Sequence, residues 1–130
     1  MMSYRTLSRL RSAVAAGAFA ICLTVSSVTA QGADVTYALR IENGHVAANM
    51  RLIRVTQGDA VKLQWSADKP STVHLHGYDI EKRVVPGAVT ELTFTARATG
   101  RFQVHLHGSA AQSASHGHED ALVTIEVYPR

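Results

Sequence analysis

The sequence predicts an all-β protein, a Greek-key antiparallel β-sandwich of about seven strands. Short segments rich in Val, Thr and aromatic residues alternate apolar with polar positions. Gly, Pro, Asn and Asp clusters separate those segments, and no stretch sustains a helical period.

Residues 35–41, VTYALRI, set Val35, Tyr37, Leu39 and Ile41 on one face, and ENG follows as a turn in which His45 reads as a turn residue. MRLIRV (50–55) is the next strand, closed by the turn TQGD. AVKLQWSA (60–67) puts Val61, Leu63 and Trp65 opposite Lys62, Gln64 and Ser66. DKPS breaks the chain before TVHLHGYDI (72–80), expected as one strand. After VPG, AVTELTFTA (88–96) sets Leu92, Phe94 and Ala96 against Thr93 and Thr95. ATG turns into RFQVHLH (101–107), and ALVTIEVY (121–128) completes the domain. Between the last two lies one long irregular stretch, Gly108 to Asp120.

The first thirty residues have a different composition. Arg5, Arg9 and Arg11 precede the apolar run 13–25, and SVTA ends in the small-x-small pattern of a cleavage site. Residues 1–30 are expected to be a signal peptide and 31–130 a single exported domain, periplasmic or secreted, with no membrane insertion after cleavage. Those three arginines carry the whole formal charge of +3, so 10 basic residues balance 10 acidic ones in the remainder. A near-neutral domain gives no electrostatic reason to expect nucleic acid as a partner. Cys22 departs with the leader, leaving the domain without disulfide or thiolate.

The chemistry concentrates in histidine. HLHG occurs at 74–77 and again at 105–108, and six of the seven histidines fall in H-x-H pairs, 74/76, 105/107 and 116/118. Alternation puts Val73 and Leu75 on one side of their strand with His74 and His76 on the other; likewise Val104 and Leu106 oppose His105 and His107. On neighbouring strands, four imidazoles would stand within reach of one ion, whose bonds to nitrogen are about 2 Å. The residues between the two repeats are expected to supply one strand and its turns. A wet strand face also carries histidines without any ion, but packed imidazolium groups would repel one another. His74, His76, His105, His107, His116 and His118 are therefore the expected metal ligands. Asp79 and Glu119 are candidates to orient an imidazole through its second nitrogen.

At these residues a family comes into view. ATGRFQVHLH resembles the closing strand of the cupredoxin superfamily, and its H-x-H spacing from Gly100 and Phe102 is similar to the multicopper-oxidase branch. HLHG is similar to that branch's H-W-H-G, with Leu75 in place of tryptophan. The resemblance spans most of residues 35–128 and implies a cupredoxin-like sandwich that binds copper. The departures are equally specific. Leu106 occupies the position of the blue-copper cysteine, and Met50 is the one methionine after the leader. A blue, thiolate-ligated centre is thereby excluded.

A nitrogen-only site favours Cu(II), with zinc as the alternative. His74, His76 and His107 are the expected ligands, His105 being either a fourth ligand or an orienting neighbour. The expected function is an exported copper-binding protein for storage, delivery or tolerance. Its partners would be the metal ion and a membrane metal transporter or oxidase, and a homodimer is compatible with the sequence. No paired carboxylates or Ser-His-Asp order mark an enzyme. A small type-2 copper or zinc enzyme, and a metal-free β-sandwich interaction module, are the alternatives.

Overall fold

The computed structural model describes residues 31–107 and 120–130. Eight strands follow in order: β1 (Asp34–Ile41), β2 (Leu52–Thr56), β3 (Ala60–Ala67), β4 (Ser71–Leu75), β5 (Ile80–Val84), β6 (Thr90–Thr95), β7 (Gly100–His107) and β8 (Val123–Tyr128). They form a three-stranded sheet, β1-β3-β6, and a five-stranded sheet, β2-β8-β7-β4-β5. Alternation along each strand sends one set of side chains inward. Leu39, Ile41, Leu63, Trp65, Val73, Leu75, Leu92, Val104 and Ile125 are essentially inaccessible, forming one apolar core.

The all-β sandwich matches the sequence expectation, with three differences of detail. First, segment 72–80 is two strands rather than one. The chain turns at residues 76–79, where Gly77 (φ +88°) and Asp79 (φ +58°) take left-handed backbone conformations. The strand count accordingly rises to eight, and both β5 and β6 lie between the two HLHG repeats. Secondly, two pairings are parallel, β1 with β3 and β2 with β8. β2 leaves for the other sheet before β3 returns beside β1, so no hairpin forces those neighbours to be antiparallel. Thirdly, residues 48–50 form a single 3-10 turn, and β2 begins at Leu52 rather than Met50.

Two buried carboxylates tie the strand ends together. Asp59 accepts backbone N–H bonds from Thr56 and Ala33, both 2.9 Å, and meets the Arg130 guanidinium at 3.1 Å. The Thr56 bond is the main influence holding its pKa below the ordinary carboxylate value, against the opposing effect of burial. Glu126 accepts from the Tyr128 hydroxyl at 2.9 Å and pairs with Arg54 at 3.3 Å and Arg101 at 2.7 Å. The tyrosine bond leads in lowering its pKa, the two arginines adding to it.

Among the described residues no helix is long and apolar enough to cross a membrane. The leader 1–30 lies outside the described residues.

Candidate metal centre

β4 and β7 are antiparallel neighbours, and their register sets His74 directly opposite His105 and Thr72 opposite His107. Partners in register share a face, so all the strand histidines stand on the outer side of the five-stranded sheet, behind fully buried Val73, Leu75 and Val104. β4 ends at Leu75, yet pairing to β7 continues for one more bond: the His76 N–H donates to the Gln103 carbonyl at 2.9 Å. That bond keeps His76 on the same side as His74.

The following turn is fixed from the core side. Tyr78 sits against both Phe94 and Phe102, with ring centroids 4.7 and 4.9 Å away, and its hydroxyl accepts the Arg97 N–H at 3.1 Å. Gly77 lies so close to Phe102 that a Cβ there would fall 2.7 Å from Cδ1. Together, Gly77, Tyr78 and Phe102 determine where the chain leaves β4 and hence where His76 begins.

His74 and His76 have ring centroids 4.3 Å apart, and His107 lies 5.5 and 6.4 Å from them. Each of these three offers a ring nitrogen, all within 4.8 Å of one another. Nitrogens around one ion with bonds of about 2 Å stand roughly 3.3 Å apart, so the three nitrogens lie within about 1.5 Å of the spacing an ion requires. Among the described residues, His74 and His107 are half-buried and His76 is exposed.

His107 Nε2 is buried without a protein hydrogen-bond partner among the described residues. An unsatisfied buried nitrogen costs about 1–3 kcal/mol, a cost that an ion bound at that nitrogen would offset. The donor set is nitrogen only, which suits Cu(II), Zn(II) or Ni(II). The triad can hold a metal ion.

His105 belongs to the cluster without belonging to the triad. Its ring stands edge-on to His76 at 4.6 Å, and its Nε2 lies 3.2 Å from Gln103 Oε1. Asp79 brings Oδ1 within 3.5 Å of His74 Nε2. His45 is exposed in the 42–45 turn, closed by reciprocal backbone bonds with Glu42, and lies outside the triad. His116, His118 and Glu119 lie outside the described residues.

Two contributors were not singled out by sequence reasoning: Gln103 beside His105, and the Gly77–Phe102 contact. Gln103 shares the alternation of His105 and was legible on that ground. The contact depends on which strand and which turn lie alongside.

The described residues resemble solved cupredoxin-fold structures. One is a heme-copper terminal oxidase dimer, 19% identical, with 79% of this chain and 76% of that one covered at a TM-score of 0.57. A second is a multi-copper oxidase from Pseudomonas Thermotolerans, 23% identical, TM-score 0.57, covering 77% of this chain and 31% of that one. The chain thus spans about a third of that oxidase. A third is the periplasmic domain of subunit II of cytochrome oxidase of Bradyrhizobium japonicum, 15% identical, covering 75% and 85% at a TM-score of 0.55. Among curated proteins no sequence matches.

A family model described as TOBE domain matches residues 8–73, half of the chain, and by sequence model the chain belongs to that family over this stretch. Of the matched strands, β1 and β3 pair with each other, while the others pair outside the match. β2 pairs with β8, and β4 with β5 and β7, all beyond residue 73. Every histidine of the cluster also lies beyond the match.

Proposed function

Taking the chain as a cupredoxin by fold, we propose that it is an exported metal-binding protein holding one copper ion through His74, His76 and His107. The observation that carries this reading is the triad itself: three histidines on adjoining chain segments, each offering a ring nitrogen within 4.8 Å of the others, with Nε2 of His107 buried and without a partner among the described residues. The similarity to structures named as copper oxidases supports copper over other ions. A thiolate-free set of imidazoles holds Cu(II) above the other divalent first-row ions. Its role is storage, delivery or tolerance, with the ion passed to a membrane transporter or an oxidase. The leader pattern in residues 1–30 supports a periplasmic location.

Among the described residues His76 is exposed at the edge of the triad, which suits an ion that is taken up and released. The test is elemental analysis of the untagged protein recovered from the periplasm, followed by EPR. About one copper per chain with an axial, nitrogen-ligated, weakly coloured Cu(II) signal is expected. Stoichiometric zinc would overturn the choice of metal. Absence of metal after Cu(II) loading and desalting would overturn the reading and leave a metal-free sandwich.

A further inference from the structure

Asp79 is the one described residue other than glycine and Asn43 with a positive φ, at +58°. That conformation costs a non-glycine residue on the order of 1 kcal/mol, and glycine would adopt it freely. The neighbouring constraints explain how it is maintained: Gly77 against Phe102, Tyr78 between two rings, and β5 pairing from Ile80 onward. They do not explain why the side chain is a carboxylate. Its Oδ1 lies 3.5 Å from Nε2 of His74, while the rest of the carboxylate is fully in solvent. No other described acidic side chain reaches a histidine of the triad at ion-pair distance.

We propose that Asp79 is the positioning residue of the metal centre. It draws the Nε2–H of His74 toward itself, so that the ring keeps that tautomer and presents Nδ1 to His76 and His107. A ring nitrogen hydrogen-bonded to a carboxylate raises the basicity of the opposite nitrogen and fixes the ring plane. His74 needs this help because it is the hub of the triad, the member nearest both others. The inference deepens the metal-binding reading and names the side chain that tunes it.

The test uses two variants with opposite side-chain content and similar backbone tolerance. Asp79→Gly removes the acceptor while relieving the left-handed strain, so the protein remains folded. Asp79→Asn keeps an acceptor oxygen and tolerates the left-handed conformation. Long-range proton–nitrogen NMR of the metal-free protein, above the pH at which imidazoles ionise, reads the tautomer of His74 directly. Parent and Asp79→Asn are expected to hold Nε2–H, and Asp79→Gly to show a mixture of tautomers. Cu(II) affinity is expected to fall about tenfold in Asp79→Gly and to recover to within about threefold in Asp79→Asn. Glu81→Gln, which removes the same charge from the residue opposite His74, should leave the tautomer unchanged.

An unchanged His74 tautomer in Asp79→Gly would overturn the proposal, as would a His74 that carries its proton on Nδ1 in the parent. The NMR readout needs no ion. Absence of copper binding in the parent would therefore defeat the functional reading while the tautomer result still decides the role of Asp79.

Discussion

Gly77 and Phe102 occupy each other's space: the glycine lacks a Cβ where one would lie 2.7 Å from the phenylalanine Cδ1. The glycine of the first HLHG and the aromatic of the second repeat's strand are therefore one structural device. Gly77→Ala adds both a ring clash and a side chain at φ +88°. We expect it to destabilise by about 2–4 kcal/mol, combining the left-handed penalty with overpacking. Phe102→Leu in the same chain should return part of that loss, a coupling of at least about 0.5 kcal/mol in a double-mutant cycle. Urea midpoints of the four proteins check this, and strict additivity would refute the contact.

His107 trades stability for function. Its buried Nε2 has no partner among the described residues, so replacing the side chain with an apolar one of similar size removes an unsatisfied group. Metal-free His107→Leu is expected to be as stable as the parent or about 1 kcal/mol more so. Cu(II) at a hundred times its dissociation constant should stabilise the parent by about 2.7 kcal/mol and the variant hardly at all. Thermal melts with and without Cu(II) measure both effects.

The histidine variants should separate into three classes by Cu(II) affinity. His74→Ala, His76→Ala and His107→Ala are each expected to weaken Cu(II) binding at least tenfold, about 1.4 kcal/mol. His45→Ala lies outside the triad and should bind as the parent does. His105→Ala should fall between, because its ring buttresses His76 at 4.6 Å while its Nε2 faces Gln103. Competition titration with a chromophoric Cu(II) chelator ranks the five. Equal affinities throughout would refute the assignment of ligands.

Acid should unfold the sandwich through Asp59 and Glu126. Both carboxylates have folded-state pKa values lowered from their ordinary ones, Asp59 chiefly by the Thr56 N–H and Glu126 chiefly by the Tyr128 hydroxyl. A lowered folded pKa means the unfolded chain takes up protons first as pH falls. Their stabilisation is thus complete above about pH 5 and is lost progressively as pH falls through the ordinary carboxylate pKa, about 4, and below it. Asp59→Asn should flatten that part of the stability–pH curve. Urea midpoints between pH 7 and pH 3 test it, and an unchanged slope would show that Asp59 carries none of the dependence.

Alternation by itself determined the all-β class and the inward set Leu39, Ile41, Val61, Leu63, Trp65, Val73, Leu75 and Val104, because a strand's side-chain period of two is a local property. It likewise put His74 and His76 opposite Val73 and Leu75. Sequence could not yield the break at 76–79, because HLHGYDI alternates plausibly as one strand and only the contacts of Gly77 and Tyr78 show the turn. It could not yield the parallel pairings of β1 and β2 either, since these depend on which sheet each strand joins. His74, His76 and His107 were already the expected ligands from alternation and resemblance; the approach of His107 to the His74–His76 pair is what needed β7 beside β4 in the register that sets His74 opposite His105. Sequence supplied the donors and their faces. Their convergence is a long-range property, and it exists only once β7 has returned beside β4.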